Sequence, residues 1–302
     1  MARAMTLPTP APLPPLDLAS KFRIAPRTRI NLRERDVDDT TGVRKGEAEI
    51  RLAQNTAQLS DTLDVLFAQN EWSVLLVFQA MDAAGKDGTI KHVFTGVNPR
   101  SVRVMSFGAP TTVELDHDYL WRTVHALPER GTIGVHNRSH YEEVLITRVH
   151  PEILERSHLP AELRGPDVIS RRFREINRFE KYLVDNGTKV LKFFLHVSKH
   201  EQWKRLVERM ETPEKNWKAQ VGDLRERGRW PEYMAAYEDI FYRTSTTHAP
   251  WYIIPADKKW FAWLAVSEIL KTTLAGLRIE HPSVPESARE QWEAAREELK
   301  KL

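Results

Sequence analysis

Ser73-Val-Leu-Leu-Val-Phe-Gln-Ala-Met-Asp-Ala-Ala-Gly-Lys-Asp-Gly-Thr89 decides the fold. Its opening, Ser73 to Gln79, is a short apolar run of the kind buried on both faces of a parallel sheet. The run stops at a small-residue turn, Ala80 to Gly88, and a helical pattern opens at Thr89 and reaches Phe94. A strand, a turn and a helix in that order expose successive backbone N–H groups with the positive end of the helix behind them. Such a turn cradles phosphate oxygens. Lys86, after Gly85, supplies a point charge for terminal phosphates. The usual phosphate loop, G-x-x-x-x-G-K-[S/T], is not met literally, because Ala80 stands at the first glycine and Asp87 at the hydroxyl position. The same residues also suit a plain tight turn with Lys86 in solvent. Asp82 sharpens the choice. A carboxylate inside an anion cradle repels the ligand unless a cation stands between them. Asp82 therefore lies on the outer face of the turn or binds Mg2+, which takes one or two carboxylates together with substrate phosphates.

Outward from this stretch the rhythm repeats. Apolar residues from Ile50 to Phe67 at three- and four-residue spacing predict a helix over about 46–70. Strands are expected at 102–107, 132–136, 189–197 and 251–254. Helices are expected at 115–127, 141–148, 168–185, 201–210 and 258–277. Alternation at this spacing means an α/β protein with a mostly parallel sheet covered on both faces. The stretch 212–247 is helical, charged and strandless, and reads as a lid over one edge of the sheet. We therefore expect a disordered Pro-rich arm over 1–20, one domain over 21–280 with a helical lid at about 205–247, and a helical tail over 281–302.

Composition narrows the class. The chain has 302 residues, 41% hydrophobic and 29% charged, enough apolar material for a core. The longest wholly apolar run, Trp260 to Val266, falls far short of the roughly 20 residues of a membrane-spanning helix. With no cysteine, disulfides, zinc–thiolate sites, iron–sulfur clusters and thiol nucleophiles are excluded. The start of the chain is rich in proline and has no apolar core of a secretory signal, so a cytoplasmic protein is expected. Net charge is +3, but 164–229 carries 17 Lys/Arg against 10 Asp/Glu, which suits a polyanionic partner as well as a solvated helical surface.

The strand at 132–136 runs into Asn137-Arg-Ser-His-Tyr-Glu142. Carboxyl ends of neighbouring parallel strands face one crevice, so Asn137, Arg138 and Glu142 are expected opposite the Lys86 turn. Asn137 and Glu142 offer oxygens to a metal or its waters, and Arg138 offers a two-pronged fork to phosphate. A polar cluster of this kind is also an ordinary helix cap.

Taken together, these blocks resemble the polyphosphate kinase 2 family over about residues 20–278. They are Met81-Asp-Ala-Ala-Gly-Lys-Asp-Gly-Thr-Ile-Lys-His92, Asn137-Arg-Ser-His-Tyr-Glu142, Lys192-Phe-Phe-Leu195, Glu201-Gln202 with Arg205, Trp217-Lys218, Ala249-Pro-Trp251 and Asp257-Lys258. The resemblance implies a P-loop kinase-like three-layer α/β/α sandwich that moves phosphoryl groups between inorganic polyphosphate and nucleotides. Asp after the loop lysine is the family's own pattern, whereas many members have Asp where this chain has Asn137. That Asn, with Asn98-Pro99 and Asp118-Tyr-Leu-Trp-Arg122, resembles the subgroup that uses both AMP and ADP.

The roles implied are these. Asp82, Lys86, Arg138 and Glu142 are catalytic, and Asp82, Asn137 and Glu142 hold Mg2+, with Mn2+ as the alternative. Ala83, Ala84, Gly85, Asp87, Gly88 and Thr89 bind phosphate, with Asn98 and Phe107 as weaker base-site candidates. Lys192, Arg205, Arg209, Lys215 and Lys218 line a polyphosphate groove, and Asp223 positions one of these cations. Trp121, Trp251, Trp260 and Trp263 are expected in the core. Partners would be polyphosphate and adenine or guanine nucleotides, with neither nucleic acid nor membrane, in a homodimer or homotetramer. The competing reading within the same fold is an ATP-dependent nucleoside monophosphate kinase. From another class, it is a nucleic-acid-binding protein that uses the basic third.

Overall fold

The computed structural model describes residues 14–218 and 221–301. Five strands, β1 (Ser73–Gln79), β2 (Val102–Ser106), β3 (Ile133–Asn137), β4 (Thr188–His196) and β5 (Trp251–Pro255), form one parallel sheet in the order β2-β3-β1-β4-β5. All seven residues of β1 are buried, as a central strand covered on both faces requires. Edge strand β2 is half open to solvent and carries Arg103, a charge that discourages further strand pairing.

The chain leaves β1 for the edge, returns to β3 beside β1, then crosses to β4 on the other flank. The strand order therefore reverses at β1, where crevices form outside the strand ends. Register places Phe78 level with Asn137 on one side and with Phe193 on the other. The turn after β1 and the turn after β3 are thus neighbours.

Two groups of helices cover the sheet. One holds α1 (Leu18–Phe22), α2 (Lys45–Gln69), α3 (Lys86–Val93) and, much later in the chain, α12 (Lys259–Ala275). The short α4 (Thr112–Leu115) and α5 (Trp121–Val124) follow β2. The second group holds α6 (Glu142–Val149), α7 (Pro151–Glu155), α8 (Val168–Asp185) and α11 (Trp230–Thr244). Between β4 and α11 stand α9 (Lys199–Glu211) and α10 (Val221–Gly228), and α13 (Glu286–Leu299) closes the chain. Helix α12 has ten buried residues and is apolar nearly all round, which fits a helix packed between α2 and the sheet.

Three sequence expectations change. The arm does not extend to residue 20: Leu18 and Phe22 are buried core residues, and the Pro14 carbonyl accepts a hydrogen bond from Arg51 Nη1 at 2.9 Å. Residues 1–13 lie outside the described residues. The single helix expected over 115–127 is two short ones, because Asp118 turns its side chain back onto the Leu120 N–H and interrupts the ladder. Of the four tryptophans expected in the core, Trp251 is fully buried, but Trp121 lies half-exposed between His117 and His125 and Trp263 faces a cavity described below.

Gly131, just before β3, adopts φ +77°, and a Cβ there would lie 3.1 Å from the backbone of Phe67. Its N–H donates to the Trp72 carbonyl at 2.7 Å. Gly131→Ala meets both a left-handed backbone and a tight contact. It is expected to lower stability by about 2 kcal/mol or more, read as a lower urea midpoint at unchanged slope.

Candidate active site

The turn after β1 is built for close approach. Gly85, the N-cap of α3, has φ +108°, which favours glycine. Helix α3 starts at Lys86, so its first N–H groups lack intrahelical partners and are available to a phosphate. Thr89 is not one of them: its N–H donates to the Gly85 carbonyl at 2.9 Å, and the residue is buried. Ala83 and Arg138, each with φ near +60°, hold non-glycine residues in the left-handed region on both sides of the crevice.

Lys86 Nζ donates to the Ala80 carbonyl at 3.1 Å, which folds the side chain across its own turn. Burial pulls its pKa below the ordinary lysine value, opposed by the charges of Asp82, Glu142 and Asp87. Across the crevice, Arg138 Nη2 donates to Asp82 Oδ1 at 2.6 Å. Glu142 is half-buried at the first position of α6; burial raises its pKa, while Arg138, Lys86 and a hydrogen bond from Gln79 oppose the rise. It stands behind Arg138 and Lys86 rather than on the cavity wall. The strand-end residues therefore meet the turn as the parallel register requires.

Asn137 modifies its expected metal role. Its Nδ2 donates to Asp87 Oδ1 at 2.6 Å, and a carboxylate partner requires the amide nitrogen to face that way. The residue orients Asp87, and only its amide oxygen remains for a metal. Asn98 does not reach the site. Its side chain caps the 99–101 turn by accepting from the Arg100 N–H, and its Nδ2 points to Asp64. Phe107 does reach it: it lines the cavity with the Arg122 guanidinium 4.9 Å from its ring centre.

The cavity in front of the turn measures about 790 Å³. Residues 82–89 form its floor, with Ser106 to Gly108, Asn137 and Arg138 from neighbouring strand ends. Its roof comes from α9 through Glu208 and Arg209, from the turns after α9 through Glu214, Lys215 and Trp217, and from α10 through Asp223. Asp223 is raised in pKa by burial and then by the Asp82 charge, and it pairs with Arg209 Nη1 at 3.2 Å, the positioning contact the sequence suggested. Asp82 and Asp223 thus line one cavity with Asp87, Glu208 and Glu214, among the cations Lys86, Arg138, Arg209, Lys215 and Lys259.

A model of the polyphosphate kinase 2 family matches residues 42–282. The chain belongs to the polyphosphate kinase 2 family. It is 48% identical over 251 residues to an ADP-polyphosphate phosphotransferase of Rhodopseudomonas palustris, which spans 83% of this chain and 87% of that one. It is 47% identical over 272 residues to an AMP/ADP-polyphosphate phosphotransferase of Meiothermus ruber, which spans 89% of this chain and 97% of that one. The crystal structure of a polyphosphate kinase 2 from Arthrobacter aurescens superposes with a TM-score of 0.83 at 37% identity, over 92% of this chain and 96% of that one.

The cations expected to form a donor groove divide. Arg209 and Lys215 line the cavity, Lys215 paired with Glu208 at 2.6 Å. The Lys218 side chain lies outside the described residues. Lys192 is a correction. It is not at a strand end but inside β4, fully buried, and its Nζ is spent on Glu180, Tyr141 and the Thr244 carbonyl. Arg205 is the second correction. Its five N–H groups go to Glu201 and to the carbonyls of Ala83, Ala84, Ala256 and Asp257. Arg205 borders the cavity but, with no donor left for a phosphate, it braces the turn. Arg205→Ala is expected to cost about 3 kcal/mol in unfolding free energy, measured in denaturant, and to loosen the turn.

The sequence reading also missed contributors. Gln202 Nε2 holds the Asp82 carbonyl at 3.0 Å. Lys259 lines the cavity from the N-terminus of α12, as does Trp263, whose ring stacks 3.5 Å from that of His92. Lys259 follows the end of β5, so the strand-end logic applied to β3 would have found it.

Proposed function

We propose that this protein transfers the terminal phosphoryl group of inorganic polyphosphate to AMP and to ADP, reversibly. One observation carries the reading: an acidic and an ammonium side chain, Asp82 and Lys86, share a single phosphate-type turn and line a cavity whose roof brings Arg209 and Lys215, each paired with a carboxylate, over that turn. The linear polyanion lies against Lys86, Arg209 and Lys215, and the α3 N-terminus takes phosphate oxygens. Arg138 steadies the oxygens of the transferring group, and Phe107 borders the nucleoside side of the cavity. The attacking phosphate oxygen is already anionic near neutral pH, so positioning and charge neutralisation do most of the work and no strong base is required.

A divalent ion fits these residues. Among the described residues no three His, Asp or Glu converge on one point, but Asp82 and Asp223 line the same cavity. Mg2+ uses one or two carboxylates and completes its shell with water and phosphate. Asp82, with Asp223 and the Asn137 oxygen at hand, would hold it, and when bound it neutralises phosphate charge. Glu142 keeps Lys86 and Arg138 in place.

The test is incubation of AMP, ADP, GMP and GDP, each with polyphosphate and Mg2+, followed by chromatography. AMP is expected to yield ADP and then ATP. ATP from ADP with AMP untouched would restrict the acceptor to diphosphates. Phosphorylation of AMP by ATP alone, with polyphosphate inert, would support a nucleoside monophosphate kinase instead.

A further inference from the structure

Beneath the Arg138 turn lies a charged cluster that the mechanism above does not use. Lys192 on β4, Glu180 on α8 and Tyr141 at the N-cap of α6 are each fully buried. Lys192 Nζ donates to Glu180 Oε2 at 2.6 Å, to the Tyr141 hydroxyl at 2.9 Å and to the Thr244 carbonyl at 2.7 Å. The Tyr141 hydroxyl in turn donates to Glu180 Oε1 at 2.8 Å. Three ammonium hydrogens meet three acceptors, each carboxylate oxygen receives one donor, and the buried His140 Nε2 stands 3.7 Å from Glu180 Oε1. Burial opposes the Glu180 charge, and the Lys192 ammonium beside it holds the carboxyl below the usual range.

A buried ion pair is a poor source of stability, since well-packed apolar residues commonly do as well. What this one does is join parts. Tyr141 sits three residues after Arg138 and immediately before Glu142. Its N–H is tied to Ser139 Oγ at 3.2 Å, so the pinned ring sets the short turn that carries Arg138 in its left-handed conformation. Thr244 is the last residue of α11, the helix that follows α10, and its hydroxyl accepts from Trp251 Nε1 at 2.9 Å.

We propose that the Lys192–Glu180–Tyr141 network is a positioning device that holds the Arg138–Glu142 turn and the C-terminal end of helix α11 as one body. Arg138 then keeps its 2.6 Å contact with Asp82 in register with the cavity roof. Tyr141, Glu180 and Lys192 touch no substrate and act through Arg138. The inference rests on the phosphotransferase reading, and its test is arranged to separate the two.

Tyr141→Phe keeps the ring and the ion pair and removes only the hydroxyl. Measured well below its melting temperature, it is expected to lose about 10- to 100-fold in kcat, as a displaced reacting group does, with KM for ADP and for polyphosphate within about twofold of wild type. Amide hydrogen exchange is expected to quicken together over 138–145 and 240–246 and nowhere else. The double variant Lys192→Met with Glu180→Leu removes the charges as a pair; it is expected to melt cooperatively yet show the same low kcat. Wild-type kcat in Tyr141→Phe, or in a cooperatively melting double variant, would overturn the inference while leaving the phosphotransferase reading intact. No transfer by the wild-type protein would overturn both.

Discussion

Asp82→Asn loses about 10²–10³-fold in phosphoryl transfer while the fold is left almost untouched. The two halves of that result have different sources. Asp82 and Arg138 are partly exposed, at 27% and 39% of their side chains, and a pair of that kind adds only about 0–1 kcal/mol to stability. The loss in rate corresponds to roughly 3–4 kcal/mol of transition-state stabilisation, so catalysis falls far more than stability. The charge also makes a prediction of opposite sign. Without a divalent ion the carboxylate repels polyphosphate and occupies Arg138. Asp82→Asn is therefore expected to bind polyphosphate more tightly than wild type in EDTA and more weakly in Mg2+. Calorimetry under both conditions reads this, and tighter wild-type binding under both would place Asp82 outside the phosphate path.

Lys86→Ala is the second large loss, again about 10²–10³-fold in rate. Its ammonium is held over the turn by the Ala80 carbonyl, where the oxygens of a bound phosphate would be its natural partners. Lys86→Arg is not a rescue, since the planar fork cannot take the place of a compact charge folded inside its own turn. The pH dependence follows from the depressed pKa. In the free enzyme the ammonium deprotonates below the ordinary value of 10.5, so kcat/KM falls as pH rises through that lowered pKa. Bound phosphates favour the charged form, so the alkaline limb of kcat lies at higher pH than that of kcat/KM. The linked effect on stability runs the other way. The unfolded chain holds this proton more tightly than the fold does. Stability therefore rises with pH between the lowered pKa and 10.5, and Lys86→Met removes that slope. Coincident alkaline limbs for kcat and kcat/KM would show that Lys86 does not meet phosphate.

Those residues were legible because the signal was local. Strand, turn and lysine are contiguous, and Asp82 is odd for its place whatever surrounds it. Asn137, Arg138 and Glu142 needed only one further step, since parallel register places the ends of β1 and β3 side by side. Lys192 and Arg205 were misread for one physical reason. A cation in a sequence gives no sign of whether its counter-charge is a ligand or a distant side chain. Glu180 lies on another element, and the carbonyls that Arg205 braces come from turns more than 50 residues away. Asn98 looked like a polar contact for a base and is a cap whose bonds are satisfied two residues on. Trp263 has the composition of a core residue, and only the position of α3 reveals the cavity its ring borders.

The claim on which the rest depends is that a divalent ion at Asp82 touches phosphate. Mn2+ substituted for Mg2+ makes this visible, because electron spin-echo spectra resolve the hyperfine coupling of bound Mn2+ to nearby phosphorus nuclei. With polyphosphate and a non-reactive ADP analogue, the wild-type protein is expected to show Mn2+ directly coupled to phosphorus, and Asp82→Asn to lose that coupled, tightly held ion. Undiminished coupling and Mn2+ affinity in Asp82→Asn would contradict the account.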